Sequence, residues 1–506
     1  MAYFSRYIIL KTAQAFFPIF FLNFSPLQAK EAPLPIVGWP LLALDQKLIP
    51  EWLGNEPVVG RLICPPFSRL NLKKQSSEGL IFNRVKVKAG KNKGEVLWKY
   101  RIKTGIYWWN GEKVTSADIA DFFKREMQNI VQQKGSNLWA LPPFAVTSKP
   151  LQVTVIWNKE PAFGPYLFNG VSLSRPKTSK NPQDFQYECV GVYQPQIEKT
   201  GILLNPNKNY GRFKKPLMLH FADSAFPATT KKGLRFNMPD DFSMKASHIR
   251  KGKAPTCSNS VELPFLTIIS WNLKNRFSSK SQLRKIFTNL TPRGALLRAG
   301  AGSAGELLSS LIPRSHPGYL KTAYVRPFSL QTASEQLNKL KFTRPQGDQE
   351  RFDQRKQVLR LQIMSTQAKF GILEKVLSDS FMSVGINTTF IPKNSQRPQD
   401  VDGILTGVYL PWPDMNFLEH FHSSKPDLFP FWPLGRKKLD TLLEEYAKSL
   451  SQFKPDFNIL KKIHRELYTL EPVTVIMQHK ACLSAGNRKM TRIDHRDPDW
   501  FRKMIM

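Results

Sequence analysis

Acidic residues are what this chain is short of. Only 39 Asp and Glu stand against 74 Lys and Arg, a formal charge of +35 at pH 7. Such a field favours anionic partners. Cysteine is scarce too: Cys64, Cys189, Cys257 and Cys482, with no C-x-x-C pair. That excludes the usual spacing of a structural zinc site. Four cysteines allow three disulfide pairings, and free buried thiols are an equal reading. Beyond residue 29 no apolar run approaches the length of a membrane helix. There is no G-x-S-x-G elbow, no H-E-x-x-H pair and no phosphate-cradling glycine loop. The eight His are scattered, and no block of five or more Lys/Arg or other nucleic-acid motif occurs. No internal repeat or low-complexity block is present. No cofactor or metal is therefore expected, and nucleic acid is not an expected partner.

What is present is length. At 506 residues the chain is too long for one core, and two or three domains are expected. Residues 1–29 read as a secretory signal: Arg6 and Lys11, an apolar run from Ala13 to Phe24, and Ala29 at the cleavage point. An uncleaved anchor is the alternative. No Cys follows Ala29, so no lipid anchor is expected there. Cleavage removes two positive charges and no acid, which takes +35 to +33.

The most informative stretch is Trp98 to Met127. Trp98, Tyr100 and Ile102 alternate with Lys99, Arg101 and Lys103, the pattern of a half-buried strand. Asn110-Gly111 marks a turn. Thr115 or Ser116 caps a helix with Asp118 in its first turn and Ile119, Phe122, Phe123 and Met127 on its apolar face. Elsewhere Leu151–Trp157, Phe265–Asn272 and Leu359–Met364 read as strands. Leu283–Phe287, Ala333–Leu340, Ile372–Val384, Leu439–Tyr446 and Asn458–Leu470 read as helices, with a stop at Gly385. Residues 71–97 predict an exposed hairpin, and 211–260 show no clear period. The alternation of strand and helix predicts α/β packing.

The order of parts in Trp98–Met127 resembles the signature of the family 5 extracellular solute-binding proteins, the periplasmic peptide- and nickel-binding proteins of ABC importers. Tyr100, Gly105, Gly111, Thr115, Ala117, Asp118 and Phe122 carry the likeness, and Trp109-Asn110 stands where the family has His-Asp. It continues through Val190–Tyr193, Gly201–Tyr210, Trp271-Asn272, Leu283-Arg284, Gly305–Tyr319 and the late helix pair before Pro472. The resemblance implies an α/β, periplasmic-binding-protein-like fold of the large peptide-binding cluster, two lobes with an extra subdomain. It implies a signal peptide at 1–29 and a lobe I core from 30–58, 186–262 and 475–506. An accessory subdomain then takes 59–185, and lobe II 263–474.

In this family the ligand lies between the lobes. Gly407–Phe421 resembles the family's ligand loop through Asp414, Asn416, Phe417 and Leu418. Where peptide-binding members place an Asp for the ligand's α-ammonium, this chain has Leu410 or, with one deletion, Pro411. A buried ammonium without a carboxylate costs several kcal/mol, so free-amine peptides are not the expected ligand. Candidate ligand-binding residues are Tyr107, Trp109, Tyr409, Trp412 and Asp414. Asp414 alternatively caps a helix near Asn416. Trp271 and Trp432 read as core. His420-x-His422 reads as part of a solvated loop rather than a metal site.

These observations predict a non-catalytic, monomeric, periplasmic binding protein. It would take a peptide-like or other small solute to ABC permease subunits at the inner membrane. The alternatives are a sensory or envelope-assembly module using the same fold, and an exported hydrolase.

Overall fold

A computed structural model of the chain describes residues 34–37, 60–132, 142–160, 171–220, 234–237, 260–300, 305–366, 371–409, 416–424, 431–451 and 455–484, apart from positions 72–73, 75, 178–184, 186, 199–200, 211–214 and 394. The chain divides into two units. The first takes residues 1–134, 141–237 and 482–506, and the second 135–140 and 238–481.

In the first unit, strands β1 (Leu34–Val37), β2 (Phe82–Ala89), β3 (Val96–Ile102), β4 (Phe144–Lys149) and β5 (Gln152–Trp157) are followed by β6 (Tyr193–Glu198), β7 (Gly201–Pro206), β8 (Leu217–His220) and β9 (Leu234–Asn237). Strands β2, β3, β5 and β4 lie side by side in that order, all antiparallel. Their inward rows carry Trp98, Tyr100, Val153, Val155 and Trp157, each fully buried. Helix α1 (Ser116–Gln132) packs on this face with Phe122, Phe123 and Met127. The predicted capping holds: the Asp118 carboxylate accepts the Thr115 N–H at 2.7 Å, and Thr115 Oγ1 accepts the Asp118 N–H at 3.2 Å. Phe67, Phe82, Tyr100, Phe122 and Phe123 form one ring cluster with centroids 4.9–5.8 Å apart. Each such ring contributes about 1.5–3 kcal/mol by burial. In the other sheet of this unit the order is β6, β7, β8, β1, β9, with β1 parallel to both neighbours.

In the second unit, β10 (Ser260–Trp271), β11 (Arg360–Ser365), β12 (Asn387–Pro392), β13 (Gly403–Tyr409) and β14 (Val473–Ser484) form the sheet order β14, β10, β13, β11, β12. The last three residues of β14 belong to the first unit, where they pair with β9. The helices are α2 (Ser281–Leu290), α3 (Arg293–Gly300), α4 (Leu330–Lys339), α5 (Gly371–Ser383), α6 (Lys437–Ser451) and α7 (Phe457–Leu470). Trp271, Leu283, Ile286, Phe287, Leu373, Leu377 and Phe381 belong to one buried cluster. Trp432 is buried with Met364, Val401 and Ile404. Both tryptophans are core, as the sequence predicts. Gly385 takes φ 82° after α5, the left-handed stop expected of it.

His464 on α7 is fully buried. Its Nδ1 accepts the Leu320 N–H at 2.9 Å, so in the neutral ring Nε2 carries the proton toward Ser310 Oγ, 2.7 Å away. Burial pushes its pKa down to about 4. The unfolded chain therefore binds this proton more readily than the folded one. The stability contribution is complete above pH 6.5 and falls as pH drops toward 4, by about 2 kcal/mol at pH 5. Urea unfolding at pH 7 and pH 5 is expected to show this loss, and His464→Gln to flatten it. An unchanged slope in the variant would assign the loss elsewhere.

Candidate functional site

The turn after β3 is built by its own backbone. Tyr107 and Lys113 form an isolated bridge, Trp108 N–H donates to Glu112 O at 2.9 Å, and Gly111 takes φ 92° at the predicted turn. Side chains from elsewhere in the first unit then clamp it. The Arg175 guanidinium lies 4.6 Å over the Trp108 ring and pairs with Glu112 at 2.6 Å and Glu188 at 2.7 Å. Glu188 also accepts the Asn110 N–H at 2.7 Å. The Arg175 hydrogen bond holds the Glu112 carboxyl below its ordinary pKa.

A second brace comes from Asn207 and Tyr210. The Asn207 amide donates to Trp108 O and Gly191 O, and the Tyr210 hydroxyl accepts the Tyr107 N–H at 3.2 Å while donating to Val190 O at 3.1 Å. Burial raises the Tyr210 pKa. Gly191 permits this approach: a Cβ there would stand 1.9 Å from Ile63 O. Next to it a disulfide joins Cys64 and Cys189.

Trp109 is buried, 8% exposed, between Phe185 and Tyr187. Its backbone N–H donates to Cys189 O and its indole N–H to Ile63 O at 3.2 Å, so both of its donors are engaged inside the unit. Tyr107 is half-buried, with its ring edge-on to Tyr210 at 6.4 Å. Of the three consecutive aromatics it is the one that is not buried. Tyr409 is the last residue of β13 in the second unit, paired with Phe265. Trp412 and Asp414, with Leu410 and Pro411, lie outside the described residues. Tyr107 and Trp109 thus both lie in the turn after β3 but pack on different aromatics.

The end of the Gly407–Phe421 stretch departs from expectation. Asn416–Phe421 is a 3-10 helix, and His420 and His422 are buried rather than solvated. Contacts distant in sequence explain this. His420 stacks on Phe431, and His422 bonds Glu444 of α6 at 3.2 Å while its Nδ1 accepts the Ser424 N–H. Among the described residues no three His, Cys, Asp or Glu side chains are grouped to hold a metal. Sequence reasoning missed Arg175, Glu188 and Asn207. The adjacency of Glu188 to Cys189 was the one local signal.

No protein-family model and no curated protein matches the sequence. Solved structures do match. NikZ from Campylobacter jejuni, in complex with Ni(L-His), is 16% identical with a TM-score of 0.63, over 93% of this chain and 99% of that one. NikA from Brucella suis, in complex with Fe(III)-EDTA, is 14% identical with a TM-score of 0.68 over the same shares. The oligopeptide-binding protein AppA from Bacillus subtilis, in complex with a nonapeptide, is 12% identical with a TM-score of 0.55, over 92% and 96%. At these identities the likeness is one of fold: the periplasmic-binding-protein-like α/β fold of the family 5 extracellular solute-binding proteins.

Proposed function

We propose, on the premise of that fold, that the protein is an exported, non-catalytic solute-binding protein of an ABC importer. It takes a peptide-like or other small solute and delivers it to a membrane permease. The observation that carries this reading is the span of the fold match, 93% of this chain and 99% of a nickel-complex binding protein. The lobe boundaries read from the sequence, including an accessory subdomain at 59–185, belong to the same proposal. Export is supported by the Cys64–Cys189 disulfide, which is at home in an oxidising compartment. Tyr107 is the ligand contact favoured by its half-open ring, and Tyr409, Trp412 and Asp414 complete the proposed set.

The proposed ligand lacks a free α-ammonium, because Leu410 or Pro411 replaces the usual carboxylate. Native mass spectrometry of protein taken from its own envelope is expected to find a retained small solute. A thermal-shift screen of free-amine peptides, N-blocked peptides and metal–histidine chelates then sorts the classes. A ligand at a hundred times its Kd adds about 2.7 kcal/mol of stability. Strong shifts from free-amine tripeptides would refute the missing anchor alone. No retained solute and no shift from any class would refute the carrier reading.

A further inference from the structure

The proposed ligand contacts leave one surface of the first unit unused. Strand register sorts the side chains of the four-stranded sheet into cross-strand rows. The rows carrying Trp98, Tyr100 and Trp157 face inward. The alternate rows read Lys88, Leu97, Ile156, Ala145; then Lys86, Lys99, Thr154, Thr147; then Arg84, Arg101, Gln152, Lys149. No acidic residue occurs in them. Lys86, Lys88, Arg101 and Lys149 are exposed, and Lys99, Leu97 and Ile156 half-buried. None of these five cations is ion-paired among the described residues, although Arg175, Arg326 and Lys480 of the same chain all are.

The pairing within the rows is unfavourable for the isolated fold. Lys86 stands directly opposite Lys99. Like charges facing each other across an antiparallel pair destabilise it. A surface of opposite sign would turn this repulsion into attraction.

We propose that this sheet face docks on an anionic phospholipid surface. The basic rows run across the four strands of one sheet rather than along a groove, which suits a surface of headgroups better than a groove-following polymer. Leu97 and Ile156 lie between the cations, the mixture of apolar and basic groups that interfacial binding uses. The aromatics of these strands all lie in the inward rows: Phe82, Trp98, Tyr100 and Trp157 are buried, and Phe144 packs on Trp157, so the basic rows offer no ring for base stacking. Each cation held near an anionic bilayer strengthens binding roughly fivefold. For an exported carrier, such docking would keep it in the plane where a permease resides. The docking itself does not depend on solute binding, and the two are measured separately.

The experiment is co-sedimentation of the full-length chain with vesicles of phosphatidylcholine alone and of phosphatidylcholine with one-third phosphatidylglycerol. The quantity read is the ratio of the two affinities, which cancels any contribution of the N-terminal apolar run. The ratio is expected to exceed about tenfold at low salt and to collapse at high salt. Replacing Lys86, Lys88, Lys99 and Arg101 by Gln is expected to lower it at least tenfold. Replacing the exposed Lys321, Lys339, Lys375 and Lys437 of the second unit by Gln changes net charge equally and should leave it within threefold. Equal loss in both variants, no loss in the sheet variant, or tighter capture of double-stranded DNA through the same four residues would each overturn the proposal. The sheet variant should melt no lower than the parent, since the opposed Lys86–Lys99 pair is relieved. If it does melt lower, the double variant Lys86→Gln/Lys99→Gln carries the same comparison, with a fall of at least fivefold expected.

Discussion

Replacing Arg326 with methionine is expected to destabilise the second unit by about 2–4 kcal/mol at neutral pH, an effect that shrinks on acidification. Glu471 caps the C-terminus of α7 with a left-handed backbone, φ 47°, and is 2% exposed. Arg326 Nε donates to its carboxylate, the Arg326 guanidinium lies 4.4 Å over the Tyr468 ring, and Arg326 also bonds Tyr468 O. Arg284 and Arg293 are buried nearby but donate mainly to backbone carbonyls: Arg284 to Leu470, Glu471, Ser278 and Ser279, and Arg293 to Leu308 and Arg326. Burial lowers both arginines to about 10.

Burial raises the Glu471 pKa, and Arg326 opposes that rise. Without Arg326 the folded-state pKa climbs further. A carboxyl with a raised folded pKa favours the fold most when protonated. That contribution is complete below the unfolded value and declines as pH rises through the folded one. The variant should therefore lose most at pH 7 and recover toward pH 4–5 relative to the parent. Urea titrations across that range measure it, and a double-mutant cycle with Glu471→Gln isolates the pair. A deficit independent of pH would mean that packing on Tyr468, not charge, is what Arg326 supplies.

Reducing the Cys64–Cys189 bond, or replacing both residues with Ser, is expected to destabilise the first unit by about 2–5 kcal/mol. The bond closes a loop with a sequence separation of 125, long enough for a large restriction of the unfolded chain. It also anchors the turn above it. Trp109 donates to Ile63 O and Cys189 O, one on each side of the bridge. Loosening the bridge should free the indole, so the melting point and the tryptophan emission should change together on adding reductant. Insensitivity of both would place the stability of this unit in the ring cluster around Phe67.

Local chemistry made much of this fold legible. Strand β3, the Asn110-Gly111 turn, the Thr115–Asp118 capping and helices α2, α4, α5, α6 and α7 all show in periods and caps of a few residues, whereas α3 did not. Strands β8 and β9 did not show. Each has four residues, too few to establish a period, and β8 and β9 flank β1, whose residue Leu34 pairs with Leu217. The cysteine pairing was one of three until the chain was folded. Arg175 is an isolated arginine in sequence, and its role appears only when Trp108, Glu112 and Glu188 surround it. The burial of His420 and His422 likewise depends on Phe431 and Glu444.

Among the described residues, strand β2 sits at the margin of its sheet, with β3 as its one neighbour there. That edge carries backbone groups that a sister chain could extend. Lys86 and Lys88 make that edge repel its own kind: two copies aligned edge to edge would bring matching cations together. The same residues that attract a surface of opposite sign thereby keep the molecules apart from one another.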